Sequence, residues 1–416
     1  MDIAVVGLGY VGLPLAVAAS TAGIAVLGID TNADIVSDLA AGRSHVEDIS
    51  DAALGRALAA GFKPTTDPAT LGEVEAIIIT VPTPLDNHLP DLSAVREAAQ
   101  TIGDHLQPGQ LVILESTSYP GTTEEVVQPI LEDRSGLIAG EDFHLAFSPE
   151  RIDPGNPRFG LRNTPKVVGG INGESTTGAA ALYGKFCEQM VPVSGTREAE
   201  LSKLLENTYR HINIALVNEM AIFCHDMGID LWEAIRAAST KPFGFEAFYP
   251  GPGVGGHCIP IDPNYLSTRV RDLGYPFRFV ELAQEINNQM PAYVAERVLR
   301  LLNRHKKTTN GANILLLGVA YKADISDVRE TPATDVARRL ITMGALVSYA
   351  DPHVERFSVD GHELQRHEDW IGAIRETDLA VLLVAHSAFE LEAIVEDASL
   401  LLDTRGVVAG DRVERL

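Results

Sequence analysis

The stretch Asp2-Ile-Ala-Val-Val-Gly-Leu-Gly-Tyr-Val-Gly-Leu-Pro14 decides the fold at the start of the chain. A short apolar run, typical of a buried strand, leads into three glycines spaced Gly-x-Gly-x-x-Gly, and a helical pattern follows. In such a unit the first glycine makes a tight turn, the second gives room to a pyrophosphate, and the third lets helix and strand pack closely. The helix N-terminus faces the phosphates with its positive dipole end. The stretch therefore predicts a dinucleotide-binding α/β domain.

Asp30 indicates which dinucleotide binds. It closes the second predicted strand, about 18 residues beyond Gly12, where an acid accepts the ribose 2′-hydroxyl and repels a 2′-phosphate. We therefore expect NAD rather than NADP. A later strand ends in Val81-Pro-Thr-Pro84, at the sheet edge where such folds bind ligands. Pro82 and Thr83 are accordingly expected beside the cofactor.

The patterns divide the 416 residues into three segments. Short runs rich in Val, Ile and Leu alternate with helical patterns in the first, which is typical of a parallel sheet covered on both faces. Apolar residues at helical spacing from Leu201 to Met220 predict one long helix. The last segment returns to strands but lacks the glycine triplet, so we expect no second dinucleotide site. The predicted fold class is α/β, with two Rossmann-like doubly wound domains joined by a central helical domain: residues 1–196, 197–304 and 305–416.

Composition excludes several classes of function. The formal net charge of -24 argues against a nucleic-acid partner, because phosphate binding needs a basic face. The sequence contains no run of about 18 apolar residues, so no membrane-spanning helix is expected. The first strand begins almost at Met1, which leaves no room for a signal peptide, and three sparse cysteines indicate reduced thiols. A cytoplasmic protein is expected.

The loop Gly251-Pro-Gly-Val-Gly-Gly-His-Cys-Ile-Pro-Ile-Asp-Pro263 places Cys258 in a glycine-rich setting, with Asp262 four residues further on. A free cysteine is most often a small core residue, and the apolar surroundings of Cys187 and Cys224 suit that role. A loop of this composition is a poor core element, so Cys258 is a candidate nucleophile with a water-positioning carboxylate. No second His or Cys falls at a ligand spacing, so no metal is expected.

Lys203 and Asn207 lie four residues apart and project from one face of the predicted long helix. Such a pair usually belongs to a solvent-exposed helix face. Ser116-Thr117 and Ser148-Pro-Glu-Arg151 each follow a strand and are compatible with plain turns. From the residues alone, the chain is predicted to be an NAD-dependent dehydrogenase with a candidate catalytic thiol.

Six motifs, in the same order along the chain, resemble the UDP-glucose/GDP-mannose dehydrogenase family. They are Gly7–Pro14, Glu115–Thr117, Ser148–Asn156, Lys203–Asn207 with the following Thr-Tyr-Arg, Gly251–Pro263 and Gly318–Pro332. The resemblance implies oxidation of the C6 hydroxymethyl group of a sugar nucleotide to a carboxylate with two NAD and one water. It implies that Cys258 attacks the C6 aldehyde to give a thiohemiacetal, which is oxidised to a thioester and then hydrolysed. It also implies a homodimer built around the long helix.

The resemblance assigns roles to particular residues. Lys203 would stabilise oxyanion character, Asn207 would assist through a hydrogen bond, and Asp262 and Thr117 would hold the attacking water. Glu150 would act as a base or hold water. The catalytic set is Cys258, Lys203, Asn207, Asp262, Thr117 and Glu150. The cofactor set is Gly7, Gly9, Tyr10, Val11, Gly12, Asp30, Pro82, Thr83, Thr117 and Arg329. The substrate set is Glu150, Arg151, Lys203, Asn207, Gly255, Gly256, Tyr249, Lys322 and Arg405.

The residues after the cysteine bear on the substrate. The UDP-glucose enzymes usually carry Phe-Pro-Lys-Asp there, whereas this chain has Ile259-Pro-Ile-Asp262, and His257 precedes the thiol. Both features resemble the branch that acts on UDP-N-acetylhexosamines. UDP-N-acetylglucosamine is favoured, followed by UDP-N-acetylmannosamine and UDP-glucose. More distant alternatives are a single-hydride hydroxyacid dehydrogenase and an NAD-binding regulator without catalysis.

Overall fold

A computed structural model describes residues 2–86, 89–153, 156, 158–256, 259 and 262–416. His257, Cys258 and Ile261, which figure in the predictions above, lie outside the described residues. The chain forms two compact units, residues 1–206 with 264–275 and residues 207–263 with 276–416. The three predicted domains, bounded at 196 and 304, stay a prediction.

The first unit is built on an eight-stranded sheet. The strands are β1 (Ile3–Val6), β2 (Val26–Ile29), β3 (Lys63–Thr65), β4 (Ala76–Ile79), β5 (Leu85–Asp86), β6 (Leu89–Pro90), β7 (Leu111–Leu114), β8 (His144–Phe147), β9 (Lys166–Gly170) and β10 (Met190–Pro192). The α-helices are α1 (Gly12–Thr21), α2 (Ala33–Ala40), α3 (Asp51–Ala59), α4 (Ser93–Gly103), α5 (Gln128–Ser135) and α6 (Gly173–Tyr183). A hairpin formed by β5 and β6 lies outside the sheet.

The sheet order is β10-β9-β8-β7-β4-β1-β2-β3, so the chain runs outward in both directions from β1. This is the doubly wound order of dinucleotide-binding domains. All residues of β1, β4 and β7 are buried, because helices cover both faces. The pairing of β8 with β9 is antiparallel, so the sheet is mixed at this end.

The second unit has a six-stranded sheet in the order β15-β12-β11-β16-β17-β18, and its pairings are parallel. The helices of the remaining chain are α7 (Thr196–Asp226), α8 (Leu231–Ser239), α9 (Asp262–Asp272), α10 (Arg278–Arg304), α11 (Pro332–Thr342), α12 (Trp370–Glu376) and α13 (Leu391–Asp397). The strands are β11 (Asn313–Leu317), β12 (Leu346–Ala350), β13 (Ser358–Val359), β14 (His362–Glu363), β15 (Gln365–Arg366), β16 (Leu379–Leu382), β17 (Leu401–Asp403) and β18 (Val413–Arg415).

The predicted α/β class and the long helix that begins before Leu201 are confirmed. The helix α7 extends the predicted apolar stretch to 31 residues. In the described part of the chain, no helix combines the length and apolar character needed to cross a membrane.

The turn after β11 differs from the dinucleotide turn of the first unit. Asp351, at the end of β12, is fully enclosed, and its Oδ2 accepts hydrogen bonds from the backbone N–H groups of Val319 (2.7 Å) and Ala320 (3.2 Å). His386 is hydrogen-bonded to the same oxygen at 3.0 Å. The turn itself reads Gly318-Val-Ala-Tyr-Lys-Ala323, so it lacks the second and third glycines that give room to the pyrophosphate of a dinucleotide.

Candidate active site

The predicted cofactor turn has the geometry that its glycines require. Gly7 adopts a φ of 93°, which favours glycine. A Cβ on Gly12 would lie 1.9 Å from the carbonyl oxygen of Gly7, whereas a Cβ on Gly9 would meet nothing within 4 Å. Gly12 is thus needed for packing of the turn against α1, and Gly9 borders open space. Each behaves as the dinucleotide fingerprint demands.

Asp30 closes β2 beside this turn. Its Oδ2 accepts a hydrogen bond from the backbone N–H of Leu8 at 2.9 Å, and its Oδ1 accepts one from Asn32 at 2.9 Å. The N-cap residue of α1, Val11, provides no side-chain hydrogen bond, so no side chain caps the N–H groups of the first turn. Tyr10 is 60% exposed at the mouth of the turn. These groups fit an NAD pyrophosphate and an adenosine ribose.

Two neighbouring residues support the turn from β4. The side chain of Thr80, which the sequence analysis did not single out, donates to the carbonyl of Gly7 at 2.7 Å. Thr83 is buried, and its carbonyl accepts a hydrogen bond from the Tyr265 hydroxyl at 2.5 Å. Pro82 lies between them in sequence and is exposed. The predicted Pro82–Thr83 segment is thereby fixed next to the dinucleotide turn.

Two glycine substitutions should separate folding from cofactor binding. We expect Gly12→Ala to lower the free energy of unfolding by about 1–3 kcal/mol, because its methyl group overlaps the Gly7 carbonyl. Gly9→Ala should leave the melting temperature unchanged but weaken NAD binding by at least about tenfold, because the methyl group enters the space for the pyrophosphate. Thermal unfolding and calorimetric titration with NAD measure the two effects. Equal NAD affinity for Gly9→Ala and the wild type would contradict this assignment.

Lys203, Thr117 and Glu150 lie in the first unit. The Lys203 ammonium, early in α7, donates a 2.5 Å hydrogen bond to the Thr117 hydroxyl, just after β7. Glu150 follows β8, and its Oε1 accepts the backbone N–H groups of Arg151 (2.7 Å) and Ile152 (2.5 Å). A cation and a hydroxyl in contact can hold an oxyanion or a water molecule.

Glu150 belongs to a buried charge cluster that sequence reasoning missed in part. Lys166, at the start of β9, contacts a carboxylate oxygen of Glu115 and lies 3.4 Å from Glu150 Oε2. The Tyr183 hydroxyl donates to the other Glu115 oxygen at 2.5 Å. Burial disfavours the charge on Glu150, but Lys166 and the surrounding hydrogen bonds outweigh it and hold the pKa of Glu150 below its ordinary value. Burial raises the pKa of Glu115, so Glu115 retains its proton more readily.

Glu200 is a second buried acid that had no signal in the sequence. Its carboxylate accepts hydrogen bonds from the backbone N–H groups of Gly121 (2.6 Å) and Thr123 (2.8 Å) and from the Thr123 hydroxyl (2.7 Å). Burial raises its pKa to about 7 although these donors act against the shift. Glu200 thus joins α7 to the loop that follows Thr117.

The glycine loop of the second unit packs against the segment 318–332. A Cβ on Gly255 would come within 2.7 Å of the Glu330 carbonyl oxygen, and one on Gly256 within 2.8 Å of the Tyr321 ring. Gly256 also adopts a φ of 84° and donates its N–H to the Arg329 carbonyl at 3.2 Å. Two of the motifs used in the sequence analysis therefore form one packed layer, which admits no side chain at these glycines.

Asp262 and Asn207 meet at the end of this loop. The Asn207 amide donates to Asp262 Oδ2 at 2.6 Å, and both side chains are buried. The start of the loop is held by Asn218, whose Oδ1 accepts the Gly251 N–H at 2.9 Å. Cys258 falls between these two fixed points in sequence, outside the described residues.

The other predicted site residues contact different partners within their units. The Arg405 guanidinium lies against Gly251, close enough that an added Cβ would sit 2.7 Å from its Nη1. Arg329 is paired with Asp327 at 2.6 Å, and Arg151 is paired with Glu206 at 2.7 Å. Tyr249 is 48% exposed, and Lys322 is half-buried.

The remaining thiols behave as core residues. Cys187 and Cys224 are both buried. Burial raises the pKa of the Cys187 thiol to about 11, which disfavours the reactive thiolate. The placement of these two cysteines in the core agrees with the sequence analysis.

Among the described residues, one group of potential metal ligands comes together: Asp324, His353 and His386. The Asp324 N–H donates to His386 Nδ1 at 3.0 Å, and His386 Nε2 is bonded to Asp351. Asp324 in turn accepts hydrogen bonds from Ser387. Both ring nitrogens of His386 are hydrogen-bonded, so this group of residues stabilises the loop after β11.

Family models match nearly the whole chain. The NAD binding domain of the UDP-glucose/GDP-mannose dehydrogenase family matches residues 1–187, the central domain 197–289 and the UDP binding domain 315–410. The chain belongs to the UDP-glucose/GDP-mannose dehydrogenase family. It is accordingly an NAD-dependent UDP-sugar dehydrogenase, and its NAD-binding and UDP-binding segments each coincide with one of the two sheets.

Three relatives within the family illustrate the similarity. The chain is 37% identical to the UDP-N-acetyl-D-glucosamine 6-dehydrogenase of Pseudomonas aeruginosa, over 94% of this chain and 92% of that protein. It is 36% identical to the UDP-N-acetyl-D-mannosamine dehydrogenase of Yersinia pestis, over 97% and 98%. Its structure is similar to that of the UDP-D-ManNAc dehydrogenase from Pyrococcus horikoshii, with a TM-score of 0.90, 32% identity and coverage of 100% and 99%.

Proposed function

We propose that this protein oxidises the C6 hydroxymethyl group of a UDP-N-acetylhexosamine, with UDP-N-acetylglucosamine as the favoured substrate, to the carboxylate. The relatives named above act on N-acetylated UDP-sugars, and the sequence Ile259-Pro-Ile-Asp262 resembles that branch. The observation that carries the chemistry is the hydrogen bond between Lys203 and Thr117, with Glu150 in the same unit.

The first oxidation requires that the C6 hydroxyl lose a proton while a hydride leaves its carbon. The Lys203 ammonium stabilises the developing alkoxide, and a water molecule held by the Thr117 hydroxyl takes the proton of the C6 hydroxyl. NAD, when bound at the Gly7–Gly12 turn, accepts a hydride in each of the two oxidations.

The second oxidation requires a covalent step. The Cys258 thiolate adds to the C6 aldehyde and forms a C–S bond, and the resulting hemithioacetal carbon bears a hydrogen that can leave as hydride. Hydrolysis of the thioester breaks the C–S bond and returns the thiol. Asp262, oriented by Asn207, holds the attacking water, and Glu150 is the base that takes its proton. Overall, two hydrides and three protons leave, and one water oxygen enters the product.

A substrate panel tests this function. We expect two NADH per sugar with UDP-N-acetylglucosamine, and a kcat/KM at least about tenfold higher than with UDP-glucose, because a pocket built for an acetamido group loses its hydrogen bonds with a hydroxyl. UDP-N-acetylmannosamine and UDP-N-acetylgalactosamine complete the panel. A yield of one NADH per sugar, without acid formation, would exclude the two-step reaction. NAD binding without hydride transfer on any sugar would identify a regulator instead.

We also propose that the protein is a homodimer that pairs through α7. The side chains of Tyr209, Leu216, Phe223 and Met227 recur along one side of the helix and are each between 45% and 67% exposed. Apolar residues at this spacing form the seam of packed helices. Light scattering should give twice the mass of 44.7 kDa for the wild type. Leu216→Glu with Phe223→Glu should give the monomer mass.

A further inference from the structure

The Lys166 cluster is an unusual feature of the first unit. The Lys166 side chain is 4% exposed, and the Glu115 side chain is completely enclosed. The three N–H donors of a lysine ammonium match three acceptors here: Glu115, the Pro149 carbonyl at 3.3 Å and Glu150 at 3.4 Å. Replacement of such buried charges by apolar side chains is often neutral or stabilising, so stability alone is a weak reason for them.

The charges of the cluster are unequal in number. Two carboxyl groups share one lysine, because Lys166 contacts Glu115 and also lies 3.4 Å from Glu150 Oε2. One buried ammonium balances one negative charge, so burial favours a proton on one of the two acids. Glu115 is the deeper of the two and accepts from Tyr183, whereas the Glu150 side chain is 10% exposed and accepts two backbone N–H groups. The proton therefore resides on Glu115 and the negative charge on Glu150.

We propose that Lys166 and Glu115 are positioning residues that keep Glu150 ionised, so that Glu150 enters each catalytic cycle as a carboxylate. This inference rests on the proposed role of Glu150 as a base or water holder. Lys166 supplies the charge that stabilises the carboxylate, and Glu115 keeps its proton so that it does not compete for that charge. The sequence separation of Lys166 from Glu115 is 51 residues, so the tertiary fold alone creates the pair.

Other groups that face Glu150 act in the same direction or are already paired. The Lys203 ammonium also lowers the pKa of Glu150. The Arg151 guanidinium is paired with Glu206 and with the carbonyl of Pro165. Tyr183 and Cys187 remain uncharged at neutral pH, because burial raises the pKa of both. Lys166 is therefore the cation in closest described contact with the Glu150 carboxylate.

The test is the pH profile of kcat/KM, measured with the sugar nucleotide that gives the fastest turnover. Removal of the cation in Lys166→Met raises the pKa of Glu150, so the acid limb of the profile should move upward by at least about one pH unit. Glu115→Gln imitates the protonated acid, so the acid limb of its profile should stay within about 0.3 pH unit of the wild-type position. Lys63→Met, an exposed lysine on the same sheet, is the matched control and should show no shift.

A second variant covers the case in which Lys166→Met does not fold. The double variant Lys166→Met with Glu115→Gln removes the ammonium together with the carboxyl group that it contacts, so Glu150 is the carboxyl group that remains in the cluster. It should melt cooperatively, bind NAD as the wild type does, and show the same upward shift of the acid limb. A folded single or double variant with the wild-type profile would overturn the inference.

Glu150→Gln separates this inference from the role of Glu150 itself. If Glu150→Gln is inactive while the double variant keeps the wild-type profile, the role of Glu150 stands and the positioning role of Lys166 fails. If Glu150→Gln turns over at the wild-type rate, Glu150 takes no part in the reaction and both statements are wrong.

Discussion

Cys258→Ala should abolish steady-state turnover, with kcat reduced by at least about 10³-fold, while the dissociation constant for NAD is unchanged. An aldehyde has no hydride that can leave until a nucleophile has added to its carbon, so loss of the thiol stops the cycle after the first oxidation. The measurement is the rate of NADH formation under saturating UDP-N-acetylhexosamine, together with a calorimetric titration of NAD.

Cys224→Ala is the matched control. Cys224 is buried in the second unit, and its replacement should cost some stability but leave turnover per folded molecule unaltered. Alkylation by iodoacetamide should inactivate the wild type and the Cys224 variant at the same rate. Full turnover by Cys258→Ala would mean that another group, or water alone, carries the second oxidation.

Lys203→Met should lower kcat by roughly 10²–10³-fold, as expected when one preorganised donor to an oxyanion is removed. The ammonium contacts the Thr117 hydroxyl directly, so the variant loses both the charge and the position of that hydroxyl. KM should change much less, because the lost interaction forms mainly in the transition state. Initial rates over a range of substrate concentrations separate the two parameters.

Lys185→Met, which removes an exposed lysine from the same unit, should leave both parameters at the wild-type values. Thr117→Ser should retain most of the rate because it keeps a hydroxyl within reach of Lys203. If Lys203→Met raised KM and left kcat intact, Lys203 would be a substrate-binding group without a role in the oxidation steps.

Local patterns were sufficient to predict the parts of the fold that depend on local order. The turn at Gly7–Gly12, the acid at Asp30 and the long helix all follow from residues close together in sequence, and the structure has each of them. The short edge strands β3 and β10, three residues each, had no comparable signal. The antiparallel pairing of β8 with β9 depends on the edge of the sheet that the chain reaches after β8. The composition of the strands does not encode that edge.

The residues around the candidate site show the same limit. Lys203, Thr117 and Asp262 could be identified because they lie in motifs that resemble a family. Lys166 and Glu200 lie outside those motifs, and their partners are 51 and 77 to 79 residues away in the chain. A buried ionisable residue reads in sequence as an ordinary surface residue, so the charge cluster became visible only from tertiary contacts.

The turn after β11 has a bearing on the order of events in catalysis. Because this turn lacks the glycine triplet, the described residues offer one dinucleotide turn in each chain, at Gly7–Gly12. Two oxidations at a single cofactor position demand that spent NADH depart and fresh NAD arrive between them. The half-oxidised sugar has to stay attached during this exchange, and a covalent bond to Cys258 would retain it. The rate of NADH release then sets an upper bound on turnover, and stopped-flow fluorescence of NADH would measure it.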